Sequence, residues 1–279
     1  MEHQLVTVII PTKDRPELLE RALRSIVGQT YVNLEILVVD DGSSPPVALS
    51  RGLAGDHRIR ILRLDPSGGP AEARNLGIEK ARGAVIAFLD DDDEFTPERI
   101  QNAVTVLETS VEKIAAVESG HSGWFEDRLV YEHLPSQQRS LRTALLREPS
   151  VALPTMMVKR SAFDVVGAFD PALDRYEDWD LWLRLTDVYD VTPLNEIHVR
   201  RQLHHPVPAK VRLHRYSIMF RRLVPRIRAL PLRKQMSLWT WHARFFMYRV
   251  VEVLLERVAG QRFLQELKIH RLSRSGKHQ

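Results

Sequence analysis

The stretch Ala84-Val-Ile-Ala-Phe-Leu-Asp90-Asp91-Asp92-Asp93-Glu94 constrains this chain more than any other: six apolar residues run straight into five acids. Six apolar residues suit a buried strand and are too few for a helix core or a membrane span. The acids then fall at the carboxyl end of that strand, the edge where open α/β sheets bind ligands. Five like charges there cost folding free energy unless something cationic neutralises them. A hard divalent cation, Mg²⁺ or Mn²⁺, takes carboxylate oxygens and holds a substrate diphosphate as well. One reading is a metal-diphosphate site. The other is a solvated acidic turn ahead of a helix, with Thr96 as N-cap and Pro97 at the first helical position. Acidic turns are common, and this stretch alone leaves the second reading ahead.

The flanking sequence repeats the pattern. Leu5–Ile10, Leu34–Val39 and Ile59–Leu64 read as strands, and Pro16 to Gly28 has helical spacing with Leu18, Leu19, Ala22, Leu23, Ile26 and Val27 on one side. Pro66-Ser-Gly-Gly-Pro70 is a flexible loop that opens a helix from Ala71 to Arg82, and Gly83 ends it before the central strand. Alternating strands and helices joined by short loops imply a parallel sheet covered on both faces. Asp14, Asp40 with Asp41, and Asp90 to Asp93 all lie just past strand ends, so three loops converge on one edge.

Beyond this, Thr96 to Thr109 reads as a helix and Ile114–Val117 as a strand. Gly120 to Pro135 suits a hairpin, Arg139–Arg147 a short helix, and Ser161 to Val166 another helix, ended by Gly167. In Arg175-Tyr-Glu177-Asp178-Trp-Asp180-Leu-Trp182-Leu-Arg184-Leu185, a helix begun near Glu177 puts Asp178, Leu181, Trp182 and Leu185 on one face. A carboxylate then stands at the helix start, where the dipole favours it. For Asp180 a purely structural role is the expectation. Asp190 to Leu203 suits a pair of short strands. His204 and His205 follow; His204 is a candidate metal ligand, set against a plain surface turn.

Composition excludes some chemistry. The 279 residues include no cysteine, which removes disulfides, thiolate metal sites and cysteine nucleophiles. The first eleven residues lack the basic and long apolar regions of a signal peptide, and no apolar run approaches the ~20 residues of a membrane span. The expectation is a cytoplasmic protein, peripheral to the inner face of the membrane if it touches one. The net charge of +4 conceals an asymmetry: nineteen of the 40 Lys and Arg, but only three of the 36 acids, follow residue 199. An acidic α/β body, with 21 basic and 33 acidic residues, thus carries a basic tail.

Taken together, Val8-Ile-Ile-Pro-Thr-Lys-Asp-Arg15, Val38-Val-Asp-Asp-Gly-Ser43, Gly69-Pro-Ala-Glu-Ala-Arg-Asn-Leu-Gly77, Phe88-Leu-Asp-Asp-Asp-Asp-Glu94 and Glu177-Asp-Trp-Asp-Leu-Trp-Leu-Arg184 resemble the family 2 glycosyltransferases over residues 5 to 205. The resemblance implies the GT-A fold, a nucleotide-binding α/β domain. It implies a catalytic domain over 1–209, with a nucleotide-sugar half to about residue 110 and an acceptor half over 111–209. By the same likeness Pro11, Thr12 and Asp14 lie along the nucleotide, Asp41 reads the base with Asp40 beside it, and Arg74 contacts the nucleotide. The family's Asp-x-Asp element falls on Asp90 and Asp92. Asp92 is then the metal ligand, with Asp90 and Asp91 towards ribose or second-layer water, although four consecutive aspartates leave the register open by one. Glu177 and Asp178 match the acceptor-side pair whose aspartate is the general base.

The implied activity is inverting, metal-dependent transfer of a sugar from a nucleoside diphosphate, UDP first among them, to a saccharide or lipid-linked acceptor. Surface polysaccharide or glycolipid assembly is the setting expected. A non-catalytic sugar-nucleotide-binding scaffold and a nucleotidyltransferase are the alternatives; the latter lacks a glycine-rich loop after the first strand, and a dinucleotide-binding Gly-x-Gly-x-x-Gly is absent there too. Residues 210–279 lie outside the resemblance. They read as a basic helical extension, with Pro225 and Pro231 dividing its first part, a long helix from Met236 to Ala259, a further helix over Phe263, Leu264, Leu267 and Ile269, and a frayed end from Ser273 to Gln279. Its expected partners are the catalytic domain, a second subunit or an anionic membrane surface; no nucleic-acid motif is present.

Overall fold

The computed structural model describes residues 4–136, 140–173, 175–205 and 207–259. The first half alternates as the sequence pattern requires: β1 (Val6–Thr12), α1 (Pro16–Val27), β2 (Leu34–Asp40), β3 (Ile59–Arg63), α2 (Pro70–Lys80) and β4 (Val85–Phe88). The second half comprises β5 (Glu94–Phe95), α3 (Arg99–Thr109), β6 (Ile114–Phe125), β7 (Arg128–His133), α4 (Leu141–Leu145), β8 (Met156–Lys159), α5 (Ser161–Val166), α6 (Glu177–Val188), β9 (Asp190–Gln202), α7 (Ala209–Arg228) and α8 (Leu232–Ala259). Among the described residues nine strands form one sheet in the order β3-β2-β1-β4-β8-β6-β9-β5, with β7 on β6. β1 to β4 pair in parallel; β8 then runs antiparallel to both β4 and β6, and β6 pairs in parallel with β9.

Side-chain alternation divides the core into two layers. Ile9, Leu37, Ile86 and Phe88 face α2, α6 and α7, whereas Val8, Ile36, Val38 and Ala87 face α1 and α3. Helices therefore cover both faces, and because every central strand position is buried these strands read as continuous apolar runs. α2 reaches β1 closely only because residue 77 is glycine: a Cβ there would stand 2.4 Å from Ile9 Cγ2.

Several expectations need correction. Thr96 is not a helix N-cap. α3 begins at Arg99, and the Thr96 hydroxyl bonds instead to His198 Nδ1 at 2.9 Å. The intervening two-residue β5, antiparallel to β9, takes Glu94 and Phe95 out of the helix. Residues 190–202 form one long strand, not two short ones, since β6 offers a continuous partner from Ile114 to Trp124. Pro225 lies inside α7 and does not divide it; Leu223 and Ile227 on either side are fully buried, and that burial outweighs the lost helical hydrogen bond. The Gly120–Pro135 hairpin is present as β6 and β7, turning at Glu126 and Asp127. The proposed helix over Phe263 to Ile269 and the segment Ser273 to Gln279 lie outside the described residues.

Candidate active site

A cleft of about 880 Å³ opens along the carboxyl edge of β1 and β4 and is closed on its far side by the β6–β7 hairpin and the start of α6. Each of the five acids after β4 meets a cation or donor supplied by another element. Arg74 on α2 gives Nη2 to Asp90 at 2.7 Å. Thr12, at the end of β1, donates its hydroxyl to Asp91 at 2.7 Å, and Arg15 donates to the same carboxylate at 3.1 Å. Asp92 meets His204 Nε2 at 2.7 Å and, more loosely, Arg15 at 3.4 Å. Asp93 is buried, accepts the Gln202 backbone N–H at 2.8 Å and lies 3.8 Å from Arg201. Glu94 pairs with Arg21 at 3.2 Å. The cluster is thus already largely neutralised by arginines, so its charge alone does not demand a metal. Burial raises the pKa of Asp91 against the opposing pull of Thr12 and Arg15, and it raises that of Asp93 further, with Asp90 adding to the effect.

The wall of the cleft facing the acidic turn includes the first turn of α6. Tyr176 precedes it with φ +67°, a left-handed conformation that is costly for a tyrosine and turns the chain sharply into the helix. Leu181, Trp182 and Leu185 are buried and anchor the helix, as their spacing predicts. Asp178 then stands at the cleft wall, accepting the Trp179 N–H at 2.7 Å. Burial, then the neighbouring Glu177 carboxylate, pushes Asp178 up to about 6, while Trp179 and Arg74 oppose that rise. Asp180 turns the other way. It is 2% exposed and is held by Arg184 at 2.9 Å and by Arg222 of α7 at 3.0 Å, the structural role expected of it.

Arg74 joins the two ends of the cleft. It is 6% exposed, and its Nη1 reaches Glu177 at 2.8 Å while Nη2 holds Asp90. Burial works against its charge, but Asp90 and Glu177 overcome this and keep its pKa raised.

Of the residues singled out in the sequence, Pro11, Thr12, Asp41, Arg74, Asp90, Asp91, Asp92, Glu177, Asp178 and His204 line the cleft. Asp14 and Asp40 do not. Asp14 accepts the Ser44 N–H at 2.8 Å. Asp40 is buried beneath the edge, accepting from the Ser43 and Val47 N–H groups and pairing with Arg63. Asp41 accepts from the Ser67 hydroxyl and from the Gly68 and Gly69 N–H groups at 2.7–3.2 Å, fixing the loop ahead of α2. Sequence reasoning missed Arg15, His121, Tyr131, His133 and Arg201, which also line the cleft. Burial, then the charges of Arg201 and His133, push His121 down to about 3, so it lines the cleft as a neutral ring. Arg15 closes the first of the quoted motifs, which could have marked it; the others lie on β6, β7 and β9, with no local pattern to mark them.

Among the described residues no group of three or more His, Asp or Glu side chains is disposed to hold a metal ion unaided. Asp92 and His204 nevertheless converge at the open end of the acidic turn. One or two protein donors, with the remaining positions filled by phosphate oxygens and water, suit Mg²⁺ or Mn²⁺, and the residues present fit a cation shared with a bound diphosphate.

Comparison with known proteins places these features in a family. The profile described as glycosyl transferase family 2 matches residues 7–167. A Haemophilus influenzae protein named an uncharacterized glycosyltransferase is 28% identical over 194 residues, covering 68% of this chain and 64% of that protein; the match therefore spans somewhat under two thirds of the relative's length. The Escherichia coli protein named UDP-Glc:alpha-D-GlcNAc-diphosphoundecaprenol beta-1,3-glucosyltransferase WfgD is 25% identical over 70% of this chain and 75% of its own. Among solved structures, Staphylococcus aureus TarS 1-349 in complex with UDP-GlcNAc superposes with a TM-score of 0.61 at 17% identity, covering 88% of this chain and 72% of that one. A Pyrobaculum calidifontis mannosyltransferase, PcManGT in complex with GDP-Man and Mn2+, gives 0.60 at 19% identity over 91% and 75%. These last two establish likeness of fold, a GT-A-type sheet flanked by helices. With the family profile covering more than half of its length, the chain belongs to glycosyl transferase family 2.

Proposed function

We propose that this chain transfers a sugar from a nucleoside diphosphate sugar to an acceptor hydroxyl in one displacement that inverts the anomeric carbon. The observation that carries the proposal is Arg74. One guanidinium spans Asp90 of the acidic turn and Glu177 beside Asp178, so the leaving-group and acceptor ends of a reaction fit into a single cleft. Asp178, pushed up to about 6, is ionised near neutral pH and basic enough to take the acceptor proton as the hydroxyl attacks. Its alignment comes from the Trp179 N–H, and Arg74 holds Glu177 aside. Only one base is required, because a single displacement forms no covalent enzyme intermediate.

At the other end, Asp92 and His204 would hold the divalent cation together with the donor diphosphate. A cation there supplies Lewis acidity to the departing diphosphate. Arg15 beside Asp92 and Arg201 beside Asp93 add positive charge for the same group. Thr12 keeps Asp91 oriented towards the ribose side. Asp41 shapes the base pocket through the loop at Ser67–Gly69; with three donors already on its carboxylate, about one of its roughly four lone-pair positions is left for a base N–H. Asp40 and Asp14 support that pocket from outside the cleft. Uracil is the base we assign, with a lipid-linked saccharide as acceptor, by analogy with the substrates printed in the name of WfgD and the ligand bound to TarS.

The test is calorimetric titration of UDP, GDP, dTDP and CDP into the purified protein with and without Mn²⁺, repeated on Asp92→Ala. Metal-dependent binding of UDP over the others, lost in the variant, is the expected result. Binding indifferent to both metal and variant removes Asp92 from the metal site, and a folded protein that binds no nucleotide at any concentration removes the transferase reading.

A further inference from the structure

α8 presents its apolar side to solvent. Surface helices of globular proteins ordinarily point polar residues outward. Here Met236, Met247 and Leu254 are 62%, 60% and 54% exposed, and with Val251 they follow one stripe along the helix. Tyr248 and Leu255 widen the stripe on one side. The opposite side of α8 is buried, with Leu238 in the core and His242 bonded through Nε2 to the Leu146 carbonyl at 2.9 Å. Among the described residues the stripe is therefore left uncovered on a firmly seated helix. Among the described residues no helix is long and apolar enough to cross a membrane.

Charge distinguishes between possible occupants. Residues 209–256 contain eleven Lys or Arg and two acids, Glu252 and Glu256. Both acids are turned inward, onto Arg212 and Arg249. Arg233 and Arg244 stand exposed beside the stripe, and Arg244 joins Arg147 and Trp241 around a depression of about 370 Å³. A second copy docked here would bring one basic face against another, which is unfavourable. An anionic surface with an apolar interior complements both features.

Position points the same way. Arg212, Arg215 and Arg249 act electrostatically on Tyr176, which lines the cleft beside Asp178. The Leu146 carbonyl held by α8 lies just ahead of the segment 149–153 that also lines the cleft. α8 is thus attached to the acceptor side of the site.

We propose that the exposed face of α8 docks on an anionic lipid bilayer, with the apolar stripe in the boundary between headgroups and acyl chains and with Arg233 and Arg244 on lipid phosphates. At ~1.5 Å per residue the 28-residue helix lies along the surface for about 42 Å. The acceptor side of the cleft is then held at the headgroup layer, where the sugar of a lipid-linked acceptor projects. That consequence rests on the transferase reading above; the docking itself does not.

Vesicle co-sedimentation of the full chain tests the proposal, using phosphatidylcholine vesicles with and without phosphatidylglycerol. Binding to the phosphatidylglycerol vesicles should exceed binding to pure phosphatidylcholine by about tenfold or more and should weaken with salt. Met247→Glu with Leu254→Glu, and separately Arg233→Glu with Arg244→Glu, should each reduce it by about tenfold or more. Circular dichroism and nucleotide titration should be unchanged in both pairs, which separates failure of docking from failure of the donor site. A folded wild-type chain that ignores anionic vesicles overturns the proposal. So does binding indifferent to the two apolar-to-acid changes, or a concentration-dependent dimer that those changes dissociate while vesicles go unbound.

Discussion

Asp178 makes opposite demands on activity and stability. Its pKa in the folded chain, about 6, lies above the ordinary 3.8. Between these values the folded state holds a proton that the unfolded state has released, so stability falls as pH rises through the window and the loss is complete above the folded value. Two units correspond to at most about 3 kcal/mol. Asp178→Asn should therefore retain nucleotide binding, lose sugar transfer by a factor of about 10² to 10⁴, and melt higher than wild type at pH 8 but not at pH 4. Transfer assays with thermal melts at the two pH values check all three. In wild type the transfer rate should rise with pH through about 6 as the base ionises. A near-wild-type rate in the amide variant removes Asp178 from the mechanism. Arg74 is the other residue on which the site turns: Arg74→Ala leaves Asp90 and Glu177 close together without their shared cation, and should weaken both donor binding and transfer.

At the scale of elements, packing between α2 and β1 sets where Arg74 starts from. Gly77→Val would drive a side chain into Ile9, with the Cβ alone 2.4 Å from Ile9 Cγ2. Overpacking of this kind costs about 1–3 kcal/mol. The expected outcome is a lower midpoint in urea, accompanied by weaker nucleotide binding because α2 carries both Arg74 and the loop pinned by Asp41. A midpoint equal to wild type would show that the contact can relax. The elements that place the acidic turn and Asp178 were legible in the sequence because each has its own local pattern: apolar runs for β1, β2 and β4, and helical spacing for α1 and α6. Thr96 was misread for a physical reason. A threonine followed by proline is a good helix start, but here His198 of β9, 102 residues away in sequence, takes its hydroxyl. Of the cleft's arginines and histidines, Arg201, His121 and His133 were illegible for the same reason. Arg201 meets Asp93, and His121 meets His133, only through pairings of β6, β7 and β9 that no local window contains.

At the scale of the whole molecule, α7 and α8 pack into the core of the sheet that carries the cleft, although their sequence lies outside the family profile. Tyr216, Met219, Leu223 and Ile227 of α7 and Leu238 of α8 share one buried cluster with Phe88 of β4 and Trp182 of α6. Arg222 of α7 also satisfies Asp180, which would otherwise be left half-paired and 2% exposed. Five large side chains at about 1.5–3 kcal/mol each come to roughly 10 kcal/mol, as much as the entire stability of a typical domain, about 5–15 kcal/mol. Ending the chain after Pro208 should therefore abolish cooperative unfolding and give aggregated protein, even though every proposed catalytic residue remains. Met247→Glu with Leu254→Glu, on the outer face of α8, should leave the unfolding transition where it is. Calorimetric melting of the two forms beside wild type separates the faces: the inner one holds the fold together, and the outer one is free to bind. A soluble chain ending at Pro208 that melts cooperatively and still binds nucleotide would show instead that the boundary near residue 209 divides two independent parts.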